Sequence, residues 1–112
     1  MKFTLENIIS NVDNLHQVKK ADLHPGDEVQ LQTSNSMYLI KVDENGDYIV
    51  SGGWLDKMAI APAKLSINGC TWGGSVIKTD IVAACGLYLE FSNRLVTSKI
   101  KKIYYFPRSL KN

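Results

Sequence analysis

The chain of 112 residues has two cysteines, two histidines and no long apolar run. Cys70 and Cys85 cannot fill a four-ligand metal site without histidine, and His16 and His24 lie far off with no ligand spacing. No stretch approaches the ~20 apolar residues of a membrane helix. Glu6 and Asp13 fall where the apolar core of a signal peptide would lie, so none is expected. A reducing, cytoplasmic location with both thiols free is the matching expectation. Neither phosphate-loop spacing occurs, because Gly73-Gly74-Ser75 lacks Gly-x-x-x-x-Gly-Lys and no Gly-x-Gly-x-x-Gly follows a strand. Only a looser anion nest from Gly74, Ser75 and Lys78 stays open.

Acids are missing from the end of the chain. Up to Glu90 there are seven lysines against eleven acids, whereas Phe91 to Asn112 hold six Lys or Arg and no acid. That basic segment reads as a solubilising or self-associating surface, or as a contact for nucleic acid. Overall, 45% hydrophobic and 21% charged residues are ordinary for one globular domain spanning 1–112.

Within it, Leu5, Ile8, Ile9, Val12 and Leu15 repeat at helical spacing, which predicts an amphipathic helix over 4–18 with Thr4 as its N-cap. The pattern then changes to period two. His24-Pro25-Gly26-Asp27 is a turn, Glu28 to Gln32 alternates, and Tyr38, Ile40 and Val42 alternate likewise. Asn45-Gly46 predicts a two-residue hairpin that pairs Val42 with Ile49 and Ile40 with Ser51, placing Ile49 on the apolar face. Asn68-Gly69 predicts a second, pairing Ile67 with Cys70 and Leu65 with Trp72. Leu87, Leu89 and Phe91 share an inward face, Asn93-Arg94 turns, and Ile100, Ile103 and Tyr105 form a strand or a helical turn. Six or seven short strands over 25–106 predict a mainly β fold, a small SH3-like or partly open barrel.

Five of the eight glycines flank the two tryptophans, in Ser51-Gly52-Gly53-Trp54 and Asn68-Gly69-Cys70-Thr71-Trp72-Gly73-Gly74-Ser75. The second hairpin register turns Trp72 inward with Cys70, while a ligand platform is the functional alternative. Trp54 either plugs the barrel end or lies exposed at its mouth. If exposed, its ring beside Asp56 and Lys57 suits stacking on a sugar, a base or an apolar group. The candidate ligand site is therefore Trp54, Asp56, Lys57, Trp72, Gly73, Gly74, Ser75 and Lys78. For nucleic acid the candidates are Lys99, Lys101, Lys102, Tyr104 and Arg108, where cations and rings interleave, although no RNP-type motif accompanies them.

Catalytic signals are weak. His16 and His24 read as surface or satisfied histidines, and the pairs Asp27-Glu28 and Asp43-Glu44 flank turns where solvated carboxylates are expected. Cys70 is the best nucleophile candidate, but the hairpin register buries it, and Cys85 also reads as core. No catalytic residue, metal or cofactor is assigned.

The motifs Ser51-Gly52-Gly53-Trp54, Asn68 to Lys78 and Gly86-Leu87-Tyr88-Leu89-Glu90-Phe91 resemble those of short uncharacterised bacterial proteins that share Ser-Gly-Gly-Trp and Asn-Gly-x-Thr-Trp-Gly-Gly-Ser. The resemblance covers 25–103 and implies a bacterial source and a compact β domain, with no activity to carry over. The expected function is a non-enzymatic binding or assembly module, self-associating and recognising a protein or small molecule through its tryptophan loops. The alternatives are nucleic-acid binding through the basic segment and a thiol enzyme using Cys70.

Overall fold

The computed structural model describes residues 16–73 and 76–108, apart from the side chain of Trp54. The helix expected over 4–18 lies outside these residues except for its last turn, and that end is extended: Gln17–Lys19 form β1. A 3-10 turn, Lys20–Asp22, follows. The remaining strands are β2 (Glu28–Thr33), β3 (Met37–Val42), β4 (Tyr48–Gly52), β5 (Ala63–Leu65), β6 (Ile67–Thr71), β7 (Ile77–Lys78), β8 (Ile81–Ala84), β9 (Tyr88–Phe91) and β10 (Ile100–Phe106), with one short helix, α1 (Gly53–Lys57), after β4.

The fold is mainly β, as the alternation implies. Its described strands form three antiparallel sheets, ordered β10-β2-β3-β4-β5, β7-β6-β9 and β1-β8, with no closed barrel among the described residues. The chain changes sheets at Ser66, between β5 and β6. There Ser66 N–H donates to Ser92 Oγ (3.2 Å) and Ser92 N–H to the Ser66 carbonyl (2.9 Å), fixing a corner instead of continuing one sheet. Buried residues from all three sheets make one core, including Val29, Leu31, Ile40, Val50, Cys70, Val82, Leu89, Phe91 and Ile103. Tyr38 and Phe91 meet in it with ring centroids 6.1 Å apart.

Both Asn-Gly expectations need correction. At Asn45-Gly46 the hairpin exists, but Val42 pairs with Tyr48 and Ile40 with Val50, one residue from the expected register. Asp43 N–H donates to the Asp47 carbonyl (2.8 Å) and Gly46 N–H to the Asp43 carbonyl (3.2 Å). Glu44, Asn45 and Gly46 thus make a three-residue loop, a turn closed by Gly46 at φ +86°. Because side chains alternate, the single-residue offset turns Tyr48 and Val50 inward and Ile49 outward.

Asn68-Gly69 is no hairpin. Both residues lie within β6, where the pairing with β9 shifts between Ile67 and Gly69. This is a bulge, with Gly69 at φ +143° and its backbone so close to the Lys78 carbonyl that a Cβ would collide with it. Asn68 Nδ2 donates to Glu90 Oε2 (2.8 Å) and to the Phe91 carbonyl (3.2 Å), which replaces the interrupted ladder. Ile67 therefore faces Phe91, not Cys70.

The other readings fare better. The turn at Asn93-Arg94 forms, with Arg94 at φ +67° and Phe91 N–H on the Leu95 carbonyl (2.9 Å). Leu87, Leu89 and Phe91 are buried, and the open choice for the last segment resolves as strand β10.

Candidate functional site

Trp72 follows directly on β6. The register that was expected to turn it inward does not exist, and the ring is 56% exposed. Its base is held firmly: Thr71 is buried, and its Oγ1 accepts the Gly73 N–H at 3.1 Å. Gly73 has φ +97°, with the Tyr88 ring 3.5 Å from where a Cβ would stand. Across the strand pair, β7 carries Lys78, whose Nζ lies 5.3 Å from the Trp72 ring centroid, a cation–π distance. Val76, 65% exposed, stands on the same connection. The result is an apolar, cation-tipped projection on a strand end. Gly74 and Ser75, expected in the site and in an anion nest, lie outside the described residues.

The backbone of Trp54 lies in α1. Leu55 is buried and anchors this helix, and Asp56 Oδ1 accepts the Gly52 N–H at 3.0 Å. Asp56 and Lys57, expected to flank one ring, face different depressions. Lys57 lines a cleft of about 530 Å³ with Asn35, Tyr38, Gly53 and Ser98, while Asp56 rims one of about 370 Å³ with Gln30, Met37, Leu39 and Ser51. Neither depression is lined by Trp72 or Lys78. The expected composite site is thus divided by the structure among separate places.

The basic segment is divided too. Lys99 and Arg108 lie at opposite ends of β10. The Lys99 carbonyl accepts Ser34 N–H (2.9 Å), whereas Arg108 packs its side chain on Gly26 and donates its N–H to Asp27 (2.8 Å). Lys101 sits at a bulge between Ile100 and Lys102. Lys102 and Tyr104 pair with Gln32 and Gln30 of β2 and so stand on the sheet's outer face.

Asp27, expected as a solvated turn acid, is buried instead. Its carboxylate accepts His24 N–H (2.9 Å), Tyr105 hydroxyl (2.8 Å) and Arg108 N–H (2.8 Å). Burial works to raise its pKa, but the three donors outweigh that and hold it below the ordinary value. Tyr105 is pushed up to about 12 by burial and by that carboxylate. Every donor here belongs to the chain itself, so the cluster ties β10 to the turn before β2. Asp43 does sit near solvent, held low by the Lys64 ammonium 3.0 Å away.

Cys70 is fully buried, its Sγ 3.5 Å from the Val82 carbonyl, and burial pushes its thiol up to about 11. It is a core thiol, protonated at neutral pH. Cys85, read as core, is only partly buried. His16 and His24 are exposed as expected. Among the described residues no group of three His, Cys, Asp or Glu could hold a metal, and no helix is long and apolar enough to cross a membrane. Comparison with protein families, curated proteins and solved structures finds no match.

The sequence reading reached Lys102 and Tyr104 but missed the rest of the outer face of the five-stranded sheet. Met37 and Leu39 on β3 are 48% and 40% exposed there. The signal was present in Met37-Tyr38-Leu39-Ile40, four apolar residues in a row where strict alternation would place polar ones.

Proposed function

We propose that the protein is a non-enzymatic binding module that recognises a partner through the exposed indole of Trp72. The observation supporting this is the pairing of a rigid base with an open ring: buried Thr71 fixes the strand end, and the largest apolar side chain of the segment faces solvent under the Lys78 ammonium. A ring held this way offers apolar area at little ordering cost, with a cation beside it for a polar or anionic group of the partner. A bacterial cytoplasmic setting and self-association belong to the same reading, and the first partner to test is a second copy of the chain.

Native mass spectrometry of the purified protein beside Trp72→Ala tests it. A second subunit or a co-purifying molecule retained by the parent and lost from the variant is the expected result. A bare monomer in both, with an equal melting temperature, overturns the reading. Acrylamide quenching of a Trp54→Phe variant gives an independent check, since the remaining indole must be freely quenched.

A further inference from the structure

We infer that the outer face of the five-stranded sheet is a platform for single-stranded nucleic acid. The strand registers place its side chains in rows. Phe106, Glu28, Lys41, Ile49 and Lys64 make one row, while Tyr104, Gln30, Leu39 and Ser51 make the next. Lys102, Gln32 and Met37 make a third. Directly opposed residues share a face, and Tyr38, Ile40 and Val50 take the buried side, so these rows point outward.

The mixture on that face selects the occupant. Tyr104 and Phe106 stand two residues apart on β10, about 7 Å along the strand, so each ring can take its own base. Two strands away, across Gln32 and Gln30 of β2, Met37 and Leu39 add an apolar patch, and the 370 Å³ depression opens between Gln30, Ser51 and Asp56. Gln32, Ser51 and the Gln30 amide oxygen supply donors and acceptors to bases, while Gln30 Nε2 donates to Met37 Sδ (2.7 Å). Lysines outnumber acids in the rows. Lys64 is engaged by Asp43, but no ion pair among the described residues holds Lys41 or Lys102. Lys101 is exposed at the neighbouring bulge, and Glu28 is the acid within the rows. A sheet face with rings along one edge and lysines in its two outer rows matches a polyanion that carries stackable faces.

Fluorescence anisotropy with a labelled fifteen-residue oligothymidylate tests this on the full chain. Two lysine–phosphate contacts imply that a tenfold rise in salt weakens binding about 25-fold. The double variant Lys41→Ala, Lys102→Ala should flatten that dependence, and Tyr104→Ala should weaken binding about tenfold at fixed salt. Circular dichroism checks that these surface variants stay folded. No binding at low salt overturns the proposal. So does binding indifferent to Tyr104→Ala, or a duplex bound as tightly as the single strand. A salt-insensitive dimer that forms through this face and excludes the oligonucleotide also overturns it. Trp72→Ala should leave oligonucleotide affinity unchanged, so this inference and the tryptophan reading fail separately.

Discussion

Replacing Asp27 by alanine should be among the costliest single changes near the protein's surface. The carboxylate accepts three hydrogen bonds, two from the N–H groups of His24 and Arg108 and one from the Tyr105 hydroxyl. Bonds to an ionised acceptor contribute about 1.5–3 kcal/mol each when buried. His24 and Arg108 are exposed residues whose N–H groups water can partly reach once the carboxylate is gone. The expected loss is therefore about 3 kcal/mol, not the full sum. For a domain of this size that lowers the melting temperature by about 12 °C. Tyr105→Phe removes one of the three donors and should cost about 1 kcal/mol.

The pH dependence follows from the same contacts. Asp27 has a pKa below its ordinary 3.8, so its contribution is complete above that value and is lost as pH falls through the lower folded value. The gap in melting temperature between the parent and Asp27→Asn, which cannot ionise, should be constant at neutral pH and shrink below about pH 4. On the alkaline side Tyr105, raised to about 12, contributes stability that is complete below 10 and lost as pH climbs towards 12. Differential scanning calorimetry across pH measures both arms. An Asp27→Ala protein melting within about 3 °C of the parent at pH 7 would refute the view that this cluster fastens β10 to the turn.

Cys70 should resist iodoacetamide at neutral pH in the folded protein and react once denatured, because its thiol is buried and raised to about 11; mass spectrometry of the labelled chain reads this directly. Gly69→Ala should destabilise by about 3 kcal/mol or more, since its Cβ would run into the Lys78 backbone. Gly46→Ala meets no atom within 4 Å and should cost only the 1–2 kcal/mol or so of a left-handed residue, and paired urea titrations separate the two. Phe91→Ala, which empties the core beside Tyr38, should cost about 3–5 kcal/mol in the same assay.

Strand content was legible where one parity of residues is apolar, as in Glu28 to Gln32 and in Leu87 to Phe91. The sheet arrangement was not, because it turns on backbone geometry that residue pattern does not encode. Asn-Gly illustrates this. At Asn45-Gly46 it ends a hairpin, yet at Asn68-Gly69 the same pair forms a bulge whose ladder partner, Glu90, is twenty-two residues away. Only the neighbouring strands distinguish the two uses, and for Asn68-Gly69 the partner strand β9 is not local. Trp72 was misplaced for that reason alone: its inward position depended on a hairpin that is absent. The buried state of Cys70 was anticipated from the same absent hairpin, and it arises instead because the thiol projects from β6 into the core, against Val82 of β8. Asp27 was hidden from sequence reading because two of its three partners lie about eighty residues on.

The loop at Gly46 decides which face of β4 meets the core, and deletion of Glu44 tests that assignment. With Asp43 and Asp47 as the closing pair, removing Glu44 leaves Asn45-Gly46 as a two-residue loop between them. That is the preferred sequence for a tight hairpin turn. The register beyond it, Val42 with Tyr48 and Ile40 with Val50, is then unchanged. The shortened protein should melt within about 4 °C of the parent, corresponding to about 1 kcal/mol. The opposite outcome follows if Glu44 and Asp47 close the turn. Deletion would then slip β4 by one place and exchange its faces. Loss of about 3 kcal/mol or more on shortening would thus restore Ile49 to the core and remove it from the outer platform. The test reaches the functional question directly, because Ile49 and its neighbour across β3, Lys41, occupy one row of the face assigned to nucleic acid.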